Sequence, residues 1–310
     1  MAKKIGFDAI GIVPVAALGS EARAFEQWLQ QDFHGDMRYM KNHFEKRVSP
    51  DLLFPGAKTV ISCAVNYFHR DKKASQNGKI SIYAQSLDYH FVVKQMLNEL
   101  LEELQKIIGQ VQGQAIVDTA PFMDKVWAVR AGIGWRGKHT NLINRKIGSY
   151  FFIGSLLLDA AIPSNDSAQR NFCGSCTACI DSCPTKAIVA PYQIDARKCI
   201  AYLNIESKPD FNEAEKKMLG EWLFGCDICQ QVCPWNRFVQ ETKNSLLQPK
   251  KDLANLQTQD FLQLTKSSFK TLFNDTVIFR TGLRRMKRNA TAVSENIKTR
   301  NFGSAEDSAT

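Results

Sequence analysis

Eight of the nine cysteines fall between Cys173 and Pro234, in two runs that each end in Cys-Pro. The first, C-G-S-C-T-A-C-I-D-S-C-P, sets Cys173, Cys176, Cys179 and Cys183 at C-x2-C-x2-C-x3-C-P. In the second, Cys199 stands alone, and C-D-I-C-Q-Q-V-C-P then supplies Cys226, Cys229 and Cys233. Gaps of two residues let three thiolates on one short loop converge on a single cubane, while the longer gap and the proline turn the fourth sulfur toward a neighbouring cluster. The spacing therefore predicts two [4Fe-4S] clusters with crossed ligation. Cys173, Cys176, Cys179 and Cys233 hold one, and Cys199, Cys226, Cys229 and Cys183 the other. Zinc also takes four cysteines, but its sites usually show two separated C-x2-C pairs in place of a triple.

This is the spacing of bacterial ferredoxins. Paired clusters alone only move electrons, and the region before them is too large to be a cap on a ferredoxin module, so it is expected to hold the electron acceptor. Asp118, at the end of the apolar stretch Ala115-Ile116-Val117, is the most informative titratable group there. Desolvation disfavours its charged form, which predicts a raised pKa and a general acid. Its position equally suits a cap for a helix starting at Pro121. The five histidines, His34, His43, His69, His90 and His139, form no HxxxH or HxxEH pair. Asp88-Tyr89-His90 begins like the D-x-H-x-x-G signature that supplies an axial histidine to some cobalamin enzymes, but Val93 stands where the glycine belongs. Cys63, in the apolar run Thr59 to Val65, reads as a small hydrophobe in a buried strand.

The elements that must position these residues follow from periodicity and punctuation. Residues 5 to 15 read as a strand closed by proline, followed by a helix that Ser20 can cap. Tyr89 to Ile108 carries Val92, Val93, Met96, Leu97, Leu100, Leu101 and Leu104 on one side and ends at Gly109, the strongest helix in the chain. Asn77-Gly78 signals a turn. A helix is expected from Pro121 to Gly132. The segment Gly132 to His139 is rich in glycine and cations but lacks Walker or Rossmann spacing, and reads as backbone brought close to a ligand or another segment. Thr140 to Ile143 and Tyr150 to Leu158 read as a hairpin turning at Arg145 to Gly148. Residues 163 to 170 read as a linker, Phe261 to Phe273 as helical and Gly303 to Thr310 as disordered.

The chain has 310 residues, enough for two domains, with a net charge of +9 and a pI near 9.1. That balance favours a polyanionic partner, with nucleic acid first. No run of 18 apolar residues and no signal-like start appear, so no membrane association and a cytoplasmic location are expected. Cysteines kept as metal ligands agree with a reducing compartment.

Five segments together resemble the epoxyqueuosine reductase family. They are Glu45 to Pro50, Y-A-Q-S-L-D-Y-H from Tyr83 to His90, Val117 to Pro121, Ala131 to Gly154, and the two cysteine runs. The resemblance spans roughly residues 5 to 290 and is far more specific than a ferredoxin motif, because the other segments share no chemistry with ordinary ferredoxins. It implies an α/β (α+β) fold in three parts. A nitroreductase-like cobalamin-binding domain occupies residues 1–162, a two-cluster ferredoxin-like domain 163–240 and a short helical part 241–310. It implies reduction of epoxyqueuosine to queuosine at the wobble position of tRNA by base-off cobalamin, fed by the two clusters from an external low-potential donor, in a monomer. Asp118 matches the family's catalytic acid, and Arg47, His139, Leu142, Ile153 and Leu156 match positions lining the corrin. Arg284, Arg285, Lys287 and Arg288 are candidates for phosphate contacts. Three other readings compete: a cobalamin-dependent reductase of small molecules such as a dehalogenase, a non-enzymatic iron–sulfur electron carrier, and an RNA-binding protein with purely structural clusters.

Overall fold

In the computed structural model, residues 1–70, 78–164, 169–253 and 256–306 are described. A single helical turn, α1 (Ala2–Ile5), leads into β1 (Ala9–Pro14). Helices α2 (Ser20–Gln30) and α3 (Phe44–Val48) precede β2 (Thr59–Asn66), and a short β3 (Lys79–Ile80) precedes α4 (Tyr89–Ile108). Then come β4 (Gly113–Ile116), α5 (Asp124–Arg130), β5 (Trp135–Arg136), β6 (Leu142–Ile143) and β7 (Phe151–Leu158). The cysteine region holds α6 (Ala178–Asp181), β8 (Ile188–Ala190), β9 (Gln193–Ile194), α7 (Ile200–Ile205), α8 (Glu213–Leu219), β10 (Trp222–Phe224) and α9 (Ile228–Gln231). The chain ends in α10 (Thr258–Gln263), α11 (Lys266–Phe273), α12 (Ile278–Thr281) and α13 (Leu283–Glu306).

The central sheet is antiparallel in the order β1-β2-β7-β4. All eight residues of β2 are buried, which explains an unbroken apolar run where a sheet with one wet face would alternate. Alternation then sorts the two faces. Ile61, Cys63, Val65, Phe152, Leu156 and Leu158 pack with Val93, Leu97 and Leu100 of α4. Val60, Ile116 and Leu157 pack instead with Phe122 and Trp127 at α5. Each fully buried large side chain contributes about 1.5–3 kcal/mol, so these two layers fix the sheet. Two glycines permit the close approach. A Cβ at Gly154 would run into Val93 and Leu97, and one at Gly11 would fall on the Ala131 carbonyl. A third core joins Leu203, Leu219, Leu223 and Phe224 to Phe261, Phe273, Met286 and Val293, so the last helices pack on the second half of the cysteine region. Among the described residues no helix is long and apolar enough to cross a membrane.

Helix α4 occupies Tyr89–Ile108 as expected, capped by the Asp88 side chain and closed at Gly109 with φ 90°. Other expectations are corrected. Residues 5 to 8 lie outside β1, and Ser20 is the first residue of α2, not a side-chain cap. Helix α5 begins at Asp124, with Pro121 in the preceding turn. Leu142–Ile143 pairs with Trp135–Arg136, and Phe151–Leu158 leaves to join β2 and β4; only the Asn144–Gly148 bridge survives of the expected hairpin. A deeper apolar partner was available to β7 than its sequence neighbour. The helical stretch at 261–273 is two helices, broken where Thr265 caps the second. Helix α13 continues to Glu306, past the expected start of disorder at Gly303. Asn77 of the expected turn, residues 165–168 of the expected linker and the last four residues lie outside the described ones.

The basic run at 280–289 proves largely structural. Arg288 donates to the Leu203, Ser207 and Pro209 carbonyls and lies over the Phe211 ring at 3.9 Å. Arg285 donates to the Thr281 and Ile205 carbonyls. Arg284 is 80% exposed beside Asp210. Arg288→Ala is therefore expected to lower the unfolding free energy by about 3 kcal/mol, since charge-assisted bonds contribute about 1.5–3 each. Arg284→Ala should change it by less than about 0.5 kcal/mol. Urea melts of the two variants against the parent chain check this.

Candidate active site

The two cysteine runs fold against each other through α6 and α9. Cys233 lies within electrostatic reach of Cys173 and Cys176, and Cys179 of Cys173 and Cys233. Cys226 is neighbour to Cys199 and Cys183, and Cys229 to Cys226 and Cys199. The structure thus brings together Cys173, Cys176, Cys179 and Cys233 in one group and Cys183, Cys199, Cys226 and Cys229 in another. The groups are neighbours, with Cys179 within electrostatic reach of Cys229. Among the described residues no three cysteine, histidine or carboxylate side chains close to the span of a single metal ion. A cubane spreads its four ligands around a body of several atoms. Burial pushes Cys179 up to about 11 and Cys226 up to about 12, so these thiols stay protonated at neutral pH until a metal displaces the proton. Trp135, Phe172 and Trp235 wall the first group, with ring centroids 4.9–5.9 Å apart. The Lys138 ammonium donates to the Gly174 and Cys176 carbonyls at 2.7 and 2.9 Å, bringing a buried cation to sulfurs that must become anionic.

A cavity of about 260 Å³ lies between this region and the central sheet. Lys125, Asn141, Leu142 and Ile153 line it from the sheet side, and Ala201, Ile205 and Cys226 from the cysteine side. Of the seven side-chain polar atoms buried without a hydrogen-bond partner among the described residues, Arg47 Nε, Asp124 Oδ1 and His139 Nε2 belong to side chains within electrostatic reach of Asp118 or Lys125. Such atoms are rare in native proteins and call for a ligand. Burial, reinforced by Lys125, pulls His139 down to about 4, so its imidazole is neutral. Burial and the Asp118 charge push Asp124 up to about 8. Thr140, between His139 and Asn141, has φ 70°, and Asp118 has φ 56°. A left-handed conformation costs about 1–3 kcal/mol outside glycine, and its recurrence at one site points to function.

Asp118 departs from the sequence expectation in charge. Ion pairing with His90, Nε2 to Oδ2 at 3.8 Å, holds its carboxyl below the usual range. Desolvation opposes that only weakly, since the Asp118 side chain is 66% exposed, and a 2.6 Å hydrogen bond from the Tyr89 hydroxyl reinforces the lowering. The expected raised pKa is corrected: desolvation loses to two donors that sequence position did not reveal. Nor does Asp118 cap α5, whose cap residue is Met123. Burial alone would lower His90, and its place in the first turn of α4 adds a dipole penalty of about 0.3–1 kcal/mol for a cation. Asp118 and Asp88 together outweigh this and raise its pKa. Asp88, 3% exposed, accepts from His90 Nδ1 at 2.6 Å and from Arg280 Nε at 3.1 Å.

Of the residues expected to line the corrin, Leu142 and Ile153 border the cavity, and Arg47 and His139 supply two of the unpartnered atoms. Leu156 does not. An odd step from Ile153 turns it to the opposite face of β7, where it is fully buried in the core beneath α4. Tyr89, His90, Asp124 and Lys125 were not singled out for chemistry in the sequence. The signal for Tyr89 and His90 was the Asp88-Tyr89-His90 triplet, which the failed cobalamin signature drew attention to for another reason; Asp124 and Lys125 had none.

A family model described as "4Fe-4S double cluster binding domain" matches residues 172–236, and one described as "Epoxyqueuosine reductase QueG" matches residues 47–119. Fold and site therefore define an iron–sulfur oxidoreductase with two [4Fe-4S] clusters. An epoxyqueuosine reductase of Leadbetterella byssophila is 46% identical over 294 residues, 95% of this chain and 96% of that one. A crystal structure of epoxyqueuosine reductase with an epoxyqueuosine-modified tRNA-Tyr stem loop matches with TM-score 0.89 at 29% identity, covering 96% of this chain and 80% of that one. A structure of the Bacillus subtilis epoxyqueuosine reductase, with its catalytic aspartate loop swung out of the active site, matches at 0.88 and 28%, over 96% and 80%. This chain belongs to the epoxyqueuosine reductase family.

The Asp88–His90 pair sets a pH window for stability. The folded pKa of His90 lies above 6.5, so its contribution is complete below 6.5 and is lost as pH rises through the raised value. Asp88 lies below 3.8, so its contribution is complete above 3.8 and is lost as pH falls. Asp88→Asn keeps the helix cap and removes the charge. It should cost about 1.5–3 kcal/mol within that window and less on either side. Denaturant melts across the pH range check this, and a difference that stays flat would refute it.

Proposed function

We propose that this chain reduces epoxyqueuosine in tRNA to queuosine, with base-off cobalamin in the cavity and Asp118 as the group through which a proton reaches the departing oxygen. One observation carries the reading: the cluster-loop residue Cys226 and the cleft residues Lys125 and Asn141 wall the same cavity. Electrons and protons can therefore meet there. The residues present fit a corrin. Leu142 and Ile153 offer an apolar floor with nothing to ligate a metal, while Arg47, Asp124 and His139 carry unpartnered polar atoms suited to amide side chains. Leu142, Ile153, Arg47, Asp124 and His139 would hold cobalamin, which would supply strongly reducing chemistry there.

The reaction breaks both carbon–oxygen bonds of the epoxide, forms a carbon–carbon double bond, takes up two electrons and two protons and releases water. This chain's residues position the participants. Tyr89 holds the Asp118 carboxyl through its hydroxyl, and Lys125, hydrogen-bonded to Asn141 at 2.9 Å, sets a cation beside it. The cysteine groups are assigned as the sequence spacing suggests, with Cys173, Cys176, Cys179 and Cys233 on one cluster and Cys183, Cys199, Cys226 and Cys229 on the second. Their exposures give the path a direction. Cys176 is exposed and Cys226 borders the cavity, so an external low-potential donor loads the first cluster and the second delivers. The division at residues 162 and 240 belongs to this reading too, although the last two parts share one core. The net charge of +9 suits the tRNA phosphates.

Asp118→Asn should lower single-turnover reduction of epoxyqueuosine tRNA by about 10²–10⁴-fold with unchanged cluster and cobalamin spectra. Full activity would remove Asp118 from the reaction. Cys233→Ser and Cys183→Ser should each leave about four irons per chain where the parent holds about eight. The crossed assignment makes a further distinction: only Cys183→Ser disturbs the cluster beside the cavity. Iron analysis with electron paramagnetic resonance, with and without added cobalamin, separates the two.

A further inference from the structure

We propose that His90 is the proton reservoir behind Asp118: clamped by Asp88 and Arg280, its imidazolium hands the Nε2 proton to the Asp118 carboxylate, which passes it to the departing oxygen. This deepens the reading of Asp118 given above and rests on it. The starting point is a mismatch. The reaction consumes two protons, yet the carboxyl placed to deliver them is held in its ionised form by its neighbours. A carboxylate with no proton of its own needs a donor.

Three groups face Asp118 with hydrogens to offer. Tyr89 hydrogen-bonds to Asp118 Oδ2, but its phenol is pushed far above its ordinary pKa by burial and by that same carboxylate, so it orients without titrating. Lys125 is a cation that gives one ammonium hydrogen to Asn141 at 2.9 Å, and among the described residues no hydrogen bond or ion pair joins it to Asp118. His90 differs in geometry. Its Nδ1 is fixed on Asp88 at 2.6 Å, which leaves Nε2 as the free edge, aimed at Asp118 Oδ2 from 3.8 Å. That separation makes an ion pair, not a hydrogen bond, and catalytic hydrogen bonds in ligand-free sites are often long and close in the complex. Stacking on Tyr89, with centroids 4.1 Å apart, and the stack of Tyr89 on Phe152 at 4.1 Å hold the imidazole in place. The charged groups facing His90 are Asp88, Asp118 and Arg280; the two carboxylates favour its cation and the guanidinium opposes it. The transfer balances. The His90 N–H bond breaks, the Asp118 O–H bond forms and then yields its proton to the oxygen leaving carbon. Neutral His90, still bonded to Asp88 through Nδ1, regains a proton from water. Asp124 is the competing store, because it too holds a proton near neutral pH. No hydrogen bond joins it to Asp118 among the described residues.

His90 acts through Asp118 and is a positioning residue, so the test reads protonation directly. Imidazole nitrogen resonances of His90, followed by NMR in the protein with its clusters oxidised, should show titration above 6.5 and a downward shift in Asp88→Asn and in Asp118→Asn. Single-turnover reduction should fall as pH rises through the same value, with the fall moved to lower pH in Asp88→Asn. His90→Gln should slow the reaction at least about tenfold, less than the roughly 10²–10⁴-fold lost with the acid itself, with partial rescue by added imidazole. Titration of His90 at or below 6.5 in the parent chain overturns the proposal, as does a His90→Gln enzyme with the parent rate and profile. So does a profile that moves in Asp124→Asn and not in Asp88→Asn. If Asp118→Asn is inactive while His90→Gln behaves as the parent, only this proposal falls; if Asp118→Asn is fully active, the Asp118 reading falls with it.

Discussion

A single buried carboxylate ties the parts of this molecule together. Asp88 is 3% exposed, and it caps α4, receives the His90 ring and receives Arg280 from the C-terminal helices. Removing water from an anion costs several kcal/mol unless hydrogen bonds and countercharges replace the hydration. Asp88 obtains them from the first turn of its own helix, through the His90 backbone N–H and ring, and from Arg280 of α12, so the N-terminus of α4, the C-terminal helices and the histidine facing Asp118 hold their relative positions together. The backbone N–H of Asp88 is also satisfied from the C-terminal part, by the Asp275 carbonyl at 2.8 Å. A site that needs its acid aligned to a fraction of an ångström gains from such a shared anchor.

A second buried carboxylate does related work on the cluster side. Asp227, 2% exposed, accepts from the Ser81 hydroxyl and from the Ile82 backbone N–H at 2.9 Å. It sits between Cys226 and Ile228, so the loop carrying the cavity-side cysteines is pinned to the segment that leads into α4. The parallel pairing of β10 with β3 fixes the same junction through the backbone. Iron–sulfur module and sheet domain are thereby one packed body at the point where an electron must cross.

What the sequence made legible was what depends on local spacing. The cysteine gaps, the stripe of α4 with its Asp88 cap and Gly109 stop, and the apolar run of β2 all belong to single segments and survive unchanged. What it could not convey depends on partners. Phe151–Leu158 has the alternation of a hairpin strand, but β2 offers it a wholly buried partner, and that choice is set by the three-dimensional core. The charge of Asp118 is the clearer example. Position alone said burial and therefore a raised pKa; only the fold shows Tyr89 and His90 arriving from the first turn of a helix some thirty residues earlier. The basic run at 280–289 misled in the opposite sense, because Arg285 and Arg288, which look free in a sequence, are here bonded to carbonyls at and just beyond the end of α7.

The placement of charge along the cavity separates two flows. In the proposed reading, electrons approach through sulfurs set in aromatic and aliphatic surroundings, from exposed Cys176 to Cys226 at the cavity wall. Protons approach along a polar line, Asp88, His90 and Asp118, on the side where α4 begins. Apolar surroundings suit the first, because they limit solvent reorganisation around a cluster. They would be ruinous for the second, since a buried proton carrier without countercharges simply neutralises. A reductant strong enough to open an epoxide can also reduce protons, so keeping the proton line apart from the electron line, with contact only at the substrate, protects the electrons as well as the geometry. The fold builds the two lines from different parts of the chain, the proton line at the start of α4 and the electron line in the cysteine region.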